Sequence, residues 1–166
     1  KLFGFGADSD LDRIETEISG LENSVLSWRK EGSDVYRINE GAGSEVSVSP
    51  DAVKVIGQCI EISDKCNGVF DISIGNITRL WDFGGDNQRL PSEDEIKSAL
   101  ADVGYKNIKV SGKAVQIKKG QSLDLGAVGK GFTCDKIKEL LDKGKTKSAV
   151  VSVGGSLLIY GNRTFS

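Results

Sequence analysis

Apolar residues recur at Leu11, Ile14, Ile18, Leu21, Val25 and Trp28 in alternating three- and four-residue steps, with mostly polar and charged residues between them. That is the stripe of an amphipathic helix, capped by Asp8 or Ser9 and ending between Lys30 and Gly32. Residues 33–39 read as a short capped helix stopping at Gly41 and Gly43, and Glu45-Val46-Ser47-Val48 alternates as a short strand. Ser49-Pro50 joins an N-cap hydroxyl to a proline at the first helical position. Val53, Ile56, Ile60 and Ser63 carry that helix to a C-cap at Asn67-Gly68.

In the second half, Ser92 and Glu95 spell a capping box ahead of Ile96, Leu100 and Val103. Residues 107–110 and 114–117 pattern as a hairpin around Ser111-Gly112-Lys113. Ile137, Leu140 and Leu141 give helical spacing from Thr133 to a cap at Gly144. Residues 148–153 form a buried-type strand, broken by Gly154-Gly155 and followed by a further strand at 156–161. Helices and strands mix without strict alternation, which predicts an α+β fold with an antiparallel-type sheet, organised as one domain over 1–166. The pattern contains no repeat, no low-complexity segment and no linker.

Composition narrows the chemistry. The 166 residues are long enough for a real core, and 28% charged against 38% hydrophobic residues describes a globular protein. A net charge of −2 supplies no broad basic field, so nucleic acid is not an expected partner. No apolar run approaches the ~20 residues that span a bilayer. Histidine is absent, which removes histidine-dependent triads and imidazole proton shuttles and leaves carboxylates, lysine, hydroxyls, backbone groups or an oxygen-ligated cation such as Mg²⁺. Cys59 and Cys66 lie two turns apart on one helix, ~10 Å by helical rise and too far for a disulfide, so buried free thiols are expected, Cys134 included. The chain lacks methionine and opens directly on Lys1-Leu2-Phe3, which predicts a piece of a longer protein, truncated at both ends.

The densest chemical stretch is Leu123-Asp124-Leu125-Gly126-Ala127-Val128-Gly129-Lys130-Gly131. Glycines ahead of a helix leave N–H groups free at its positive end, which suits phosphate, while Lys130 adds a mobile charge and Asp124 can hold a cation. The alternative is a tight strand–turn–helix corner with Lys130 solvated. The spacing fits neither a Walker A loop, since Asp124 occupies the first glycine position and Gly131 the hydroxyl position, nor the dinucleotide fingerprint. Two other residues stay open on local grounds. Trp28 is a core residue or a stacking surface for a planar ligand, and Asp71, within Val69-Phe70-Asp71-Ile72-Ser73, caps the following segment or walls a pocket.

Taken in order, these motifs resemble the ApbE family, the FAD:protein FMN transferases. The resemblance is carried by Leu26-Ser27-Trp28-Arg29 with Ser33 and Asn39, and by Gly68-Val69-Phe70-Asp71-Ile72-Ser73 with Leu80-Trp81-Asp82-Phe83. It continues in Asp124 to Gly131 with Asp135, and in Val151-Ser152-Val153-Gly154-Gly155-Ser156. It covers essentially the whole chain but only about the first half to two-thirds of a usual family member.

The resemblance implies an α+β fold related to the tunnelling fold, with FAD between two lobes and Mg²⁺ at its pyrophosphate. It implies transfer of FMN to a Thr or Ser hydroxyl of an acceptor protein with release of AMP. Close alternatives are an FAD pyrophosphatase and a non-catalytic FAD-binding module. Carried over by position, Trp28, Val69, Phe70, Asp71, Asp124 and Lys130 contact the flavin nucleotide, Asp124 and Lys130 are the catalytic candidates, and Ala127 ligates Mg²⁺ through its carbonyl. A lipid anchor and a place outside the cytoplasmic membrane are implied as well. The family's second metal-binding element, an aspartate and a threonine, falls beyond Ser166, so a protein ending there is expected to have an incomplete metal site and little turnover.

Overall fold

A computed structural model describes residues 2–5 and 8–162. In chain order the elements are β1 (Leu2–Phe5), α1 (Asp8–Leu21), α2 (Asp34–Glu40), β2 (Glu45–Ser47), α3 (Pro50–Lys65), α4 (Gly75–Trp81), α5 (Glu93–Leu100), β3 (Lys109–Ser111), β4 (Ala114–Gln116), α6 (Gly126–Lys143), β5 (Ser148–Val153) and β6 (Ser156–Tyr160). A π-helical turn occupies Glu22–Leu26 and a 3₁₀ turn Tyr105–Asn107. The fold is α+β, as the mixed pattern predicts, and its contacts form two compact units. No helix among the described residues is long and apolar enough to cross a membrane.

The first unit comprises Lys1–Asn23 and Gly126–Ser166. Its three strands are antiparallel in the order β1-β5-β6, and α6 packs on α1 and on the sheet. Ile14, Ile137, Leu141, Ala149 and Val151 form the core. Only alternate residues of β5 are buried, so one face of it is covered, where its apolar run predicts a buried-type strand.

The second unit, Ser24–Leu125, holds the sheet β2-β4-β3, also antiparallel, with α2 to α5. The predicted caps are present: Ser33 and Ser49 accept N–H bonds from Tyr36 and Ala52, and Ser92 with Glu95 makes the reciprocal capping box. On α3 the covered face is Ala52, Val55, Ile56, Cys59 and Ser63; Val53 and Ile60 stand at its half-buried margin. All three cysteines are free thiols. Cys134 is buried, Cys66 half-buried, and burial pushes the Cys59 thiol up to about 11, which makes it inert.

Two expectations are corrected. The stripe from Leu11 to Trp28 is not one helix. α1 ends at Leu21, and the π turn places one more residue in the turn, so Val25 and Leu26 are buried side by side and Trp28 leaves the helix. Leu11, at the outer edge of the stripe, is 40% exposed. The second correction concerns the glycines. α6 begins at Gly126, not Thr133, so Gly126, Gly129 and Gly131 form its first turns instead of a loop ahead of it. Each glycine weakens a helix by about 1 kcal/mol relative to alanine, but the burial of Phe132, Ile137 and Leu141 outweighs that local preference. Thr133 Oγ1 also donates to the Gly129 carbonyl at 2.8 Å, a four-residue spacing that only the helix supplies.

One buried carboxylate ties the chain-distant pieces of the first unit together. Asp10 on α1 accepts from Thr146 Oγ1 at 2.6 Å and from the N–H groups of Thr146 and Lys145 at 3.1 and 3.2 Å. The Thr146 hydroxyl above all holds the Asp10 carboxyl below its ordinary value of 3.8, against the upward pull of burial. A carboxyl lowered in the folded state stabilises above the unfolded value and loses that contribution as pH falls past it. Asp10→Asn should therefore lower the urea midpoint at pH 7, and its deficit against the parent should shrink as pH drops below about 4. Urea titrations from pH 7 to pH 3 test this; a deficit independent of pH would show that Asp10 does not act as a charged acceptor.

Candidate functional site

Between β4 and α6 the chain crosses the second unit without forming a strand. Gln121, Ser122, Leu123 and Leu125 are buried there, and Asp124 alone is half-exposed. A buried irregular segment must find partners for its backbone groups. Asn39 supplies two of them, its Oδ1 accepting from Leu123 N–H at 2.7 Å and its Nδ2 donating to the Leu123 carbonyl at 3.0 Å. Asp124 N–H donates to the Ile72 carbonyl at 2.8 Å, and Gly75 N–H donates to the Ser122 carbonyl at 2.9 Å. Asp124 is thus fixed at backbone level from both sides.

Its side chain is fixed as well. Thr78 Oγ1, one turn into α4, donates to Asp124 Oδ2 at 2.7 Å. The next residue, Arg79, is half-buried, and its Nε is buried without a hydrogen-bond partner among the described residues. Burial holds the Arg79 guanidinium below its ordinary value, while the charges of Glu40 and Asp124 act in the opposite sense. Arg79 also lies over the Trp28 ring at 4.8 Å, as does Arg29 at 4.3 Å. Trp28 is half-buried and paired with two cations, so the structure gives it neither a core position nor a free ring.

Arg29 extends this cluster to the loop after α4. It donates to Asp82 Oδ1 at 3.2 Å and to the Phe83 carbonyl at 2.9 Å, and Asp82 holds a left-handed backbone with φ of 46°. Phe83 stacks on Trp81 with centroids 6.5 Å apart and is 71% exposed. The Leu26–Arg29 and Leu80–Phe83 motifs, far apart in sequence, therefore meet.

The other candidates lie elsewhere. Asp71 accepts from Ser73 N–H and Oγ at 2.8 and 2.7 Å and from Tyr105 N–H at 2.8 Å, while Ser73 Oγ accepts from Gly104 N–H. It caps its own turn, as one of the two open readings had it, and also clips that turn to the 3₁₀ segment. Val69 is 91% exposed, and Phe70 is half-buried with its N–H on Cys66 Sγ. Ala127 and Lys130 belong to the first unit. Ala127 is exposed in the first turn of α6, where the helix ladder takes one lone pair of its carbonyl and leaves the other. The Lys130 stem lies beside Gly154 in the β5–β6 turn: a Cβ built on Gly154 would sit 3.1 Å from Lys130 Cδ. The glycine-lysine and glycine-glycine motifs are thus neighbours.

Thr78 and Arg79 were not singled out from the sequence. Their trace was present, however, as a lone cation in the apolar run Ile77-Thr78-Arg79-Leu80-Trp81. Together the second unit offers an oriented carboxylate, a hydroxyl, a desolvated guanidinium and an indole. Hard oxygen donors beside a guanidinium are the chemistry that holds a phosphorylated compound.

Comparisons with known proteins agree. The profile of the ApbE family matches residues 6–165. The chain is 30% identical over 149 residues to an FAD:protein FMN transferase of Treponema pallidum, an alignment covering 84% of this chain and 41% of that protein. It is 28% identical over 154 residues to the FAD:protein FMN transferase of Escherichia coli K12, covering 88% and 44%. The crystal structure of the ApbE protein from Thermotoga maritima superposes with a TM-score of 0.85 at 26% identity, over 98% of this chain and 54% of that one. The apo flavinyl transferase ApbE of Pseudomonas stutzeri, at 23% identity and a TM-score of 0.84, shares the fold. The chain spans about half the length of the relatives it matches.

Two glycines should respond oppositely to alanine. A Cβ on Gly75 would meet the Ser122 carbonyl oxygen at 2.7 Å, whereas one on Gly131 meets nothing within 4 Å. Gly75→Ala should therefore destabilise by about 1–3 kcal/mol through overpacking against a backbone that cannot yield. Gly131→Ala should stabilise by about 0.5–1 kcal/mol as a helix-interior replacement. Chemical denaturation reads both, and a loss at position 131 would contradict the helical placement of the glycines.

Proposed function

The chain belongs to the ApbE family, and from that premise we propose that its protein transfers the FMN portion of FAD to a Thr or Ser hydroxyl of an acceptor protein, with Mg²⁺ at the pyrophosphate and release of AMP. The observation that carries this reading is the Asp124 carboxylate, pinned through Leu123 and Ile72 and oriented by Thr78, beside Arg79 and Trp28. The names of the relatives support the substrate and the class of acceptor. By the same resemblance we place the protein outside the cytoplasmic membrane, lipid-anchored.

The donor chemistry fits Mg²⁺. In the second unit Asp124 and Thr78 offer a carboxylate and a hydroxyl, and in the first Ala127 offers a carbonyl, all hard oxygen ligands. Among the described residues no group of three or more His, Cys, Asp or Glu could hold an ion. Each set would need water and pyrophosphate oxygens to complete the ion's shell, the usual arrangement for this cation. When bound, Mg²⁺ supplies neutralisation of charge on the pyrophosphate. In the second unit Arg79 would contribute a fixed guanidinium, held with Arg29 over the Trp28 ring, and in the first unit Lys130 would contribute a mobile ammonium. In this reading Asp124 would take the proton of the acceptor hydroxyl as its oxygen bonds to the FMN phosphorus and the bond to AMP breaks. Positioning and electrostatics carry such a reaction, and neither needs histidine.

A second reading is a non-catalytic FAD-binding module: the Arg79 guanidinium and the ordered Asp124–Thr78 pair are groups that bind without any bond being broken.

The test incubates the protein with FAD and Mg²⁺, with and without a threonine-bearing acceptor peptide, and follows AMP by chromatography and the peptide by mass. The expected result is AMP with an FMN-mass adduct, abolished by EDTA and reduced at least about 100-fold by Asp124→Ala. AMP with free FMN would establish hydrolysis, and FAD binding without AMP would establish the binding module. Absence of FAD binding would overturn both readings.

A further inference from the structure

Between Asp102 and Asp124 the sequence has no acidic residue but five lysines, at 106, 109, 113, 118 and 119, in a chain of net charge −2. The fold gathers four of them. Lys106, Lys109, Lys118 and Lys119, with Asn107 and Gln116, line a solvent-open cavity of about 360 Å³ on the outside of the β3–β4 hairpin. It shares no residue with the Asp124 cluster.

The groove has a built wall. Gly43 N–H donates to the Ile117 carbonyl at 2.9 Å, and Gln116 Nε2 donates to the Gly43 carbonyl at 3.1 Å, so the backbone at 43 is held against the end of β4. Gly43 has φ of +100°, and a Cβ there would lie 3.3 Å from Lys119 Cβ. Only glycine accommodates both the backbone angle and the close approach to the lysine stem. The charges are poorly compensated. Lys118 is 3.6 Å from Asp102, and Lys106 leans over the Tyr105 ring at 6.0 Å. Lys109 and Lys119 have no ion pair among the described residues. Besides Asp102, Glu45 shares the face: it pairs with Gln116 on β4, which in turn pairs with Lys109 on β3. Like charges converging on one concave surface repel one another, and that repulsion is relieved when an anion binds.

We propose that this groove docks an acidic peptide segment of a protein partner. Lysine ammoniums are hydrated point charges on flexible stems, and no arginine fork lines the groove to enclose a single phosphate. Exposed ion pairs are individually weak, so a solvent-open site gains affinity only from a ligand that engages several lysines at once. An extended chain carrying several carboxylates meets that requirement. A nucleic acid would call for a broader basic field than a chain of net −2 provides.

The test measures fluorescence anisotropy of a fluorescein-labelled octaglutamate peptide with the 166-residue chain at low salt. Saturable binding is expected, weakened at least about tenfold by Lys109→Ala with Lys119→Ala and lost as salt screens the contacts. The control pair Lys143→Ala with Lys147→Ala removes the same charge from residues that do not line the groove and should change affinity by less than about twofold. Equal losses in the two pairs would reduce the effect to net charge and overturn the groove. So would absence of saturable binding at low salt, or tighter binding of tripolyphosphate or of a single-stranded oligonucleotide than of the peptide. Circular dichroism melts confirm that the variants, all at exposed positions, remain folded.

Discussion

A buried stretch of backbone that belongs to no sheet is the constraint on which the second unit depends. The segment from Gln121 to Leu125 runs under cover, and each of its polar groups left unpaired would cost about as much as a lost buried hydrogen bond. One side-chain amide, Asn39, answers both the N–H and the carbonyl of Leu123, as a neighbouring strand would have done. From the turn into α4, the Ile72 carbonyl accepts from Asp124 N–H and Gly75 N–H donates to the Ser122 carbonyl. The rigidity given to Asp124 is a by-product of that satisfaction, which is why a carboxylate in an irregular segment is as well placed as one on a strand.

The same device recurs nearby. Asp71 and Ser73 between them satisfy the N–H groups of Gly104 and Tyr105, joining the turn ahead of α4 to the 3₁₀ segment ahead of the hairpin. In the first unit Asp10 does so for Lys145 and Thr146. Each unit thus uses a buried or half-buried carboxylate to hold together pieces distant in sequence, with few long strands to do it. Asp71 and Asp10 accept from backbone N–H groups as well as from hydroxyls, which suits scaffolding. Asp124 accepts from the Thr78 hydroxyl and acts on the Arg79 charge, which suits binding.

The glycines of the central stretch carry a related lesson. Read locally, three glycines in six positions look like a loop, because nothing in the residues themselves favours a helix. In the folded chain they are helical: α6 starts at Gly126, and Phe132, Ile137 and Leu141 further along it are buried. The small residues then leave the first turns of α6 bare, with Ala127 and Lys130 exposed on them.

By itself the sequence determined the α+β class, the caps at Ser33, Ser49 and Ser92, the hairpin and the free thiols, and through four ordered motifs the family. These are local or additive properties: a hydroxyl at an N-cap or a period of 3.6 needs no distant partner to be recognised. Tertiary structure alone decided where the first helix widens into its π turn, which face α3 buries, and that α6 begins at Gly126. It also decided that Thr78 and Arg79 stand beside Asp124, and that four lysines converge on one groove. Such features depend on contacts between residues separated by tens of positions. No periodicity records them, because the free energy that selects them is released only when distant apolar faces and unpaired backbone groups are buried together.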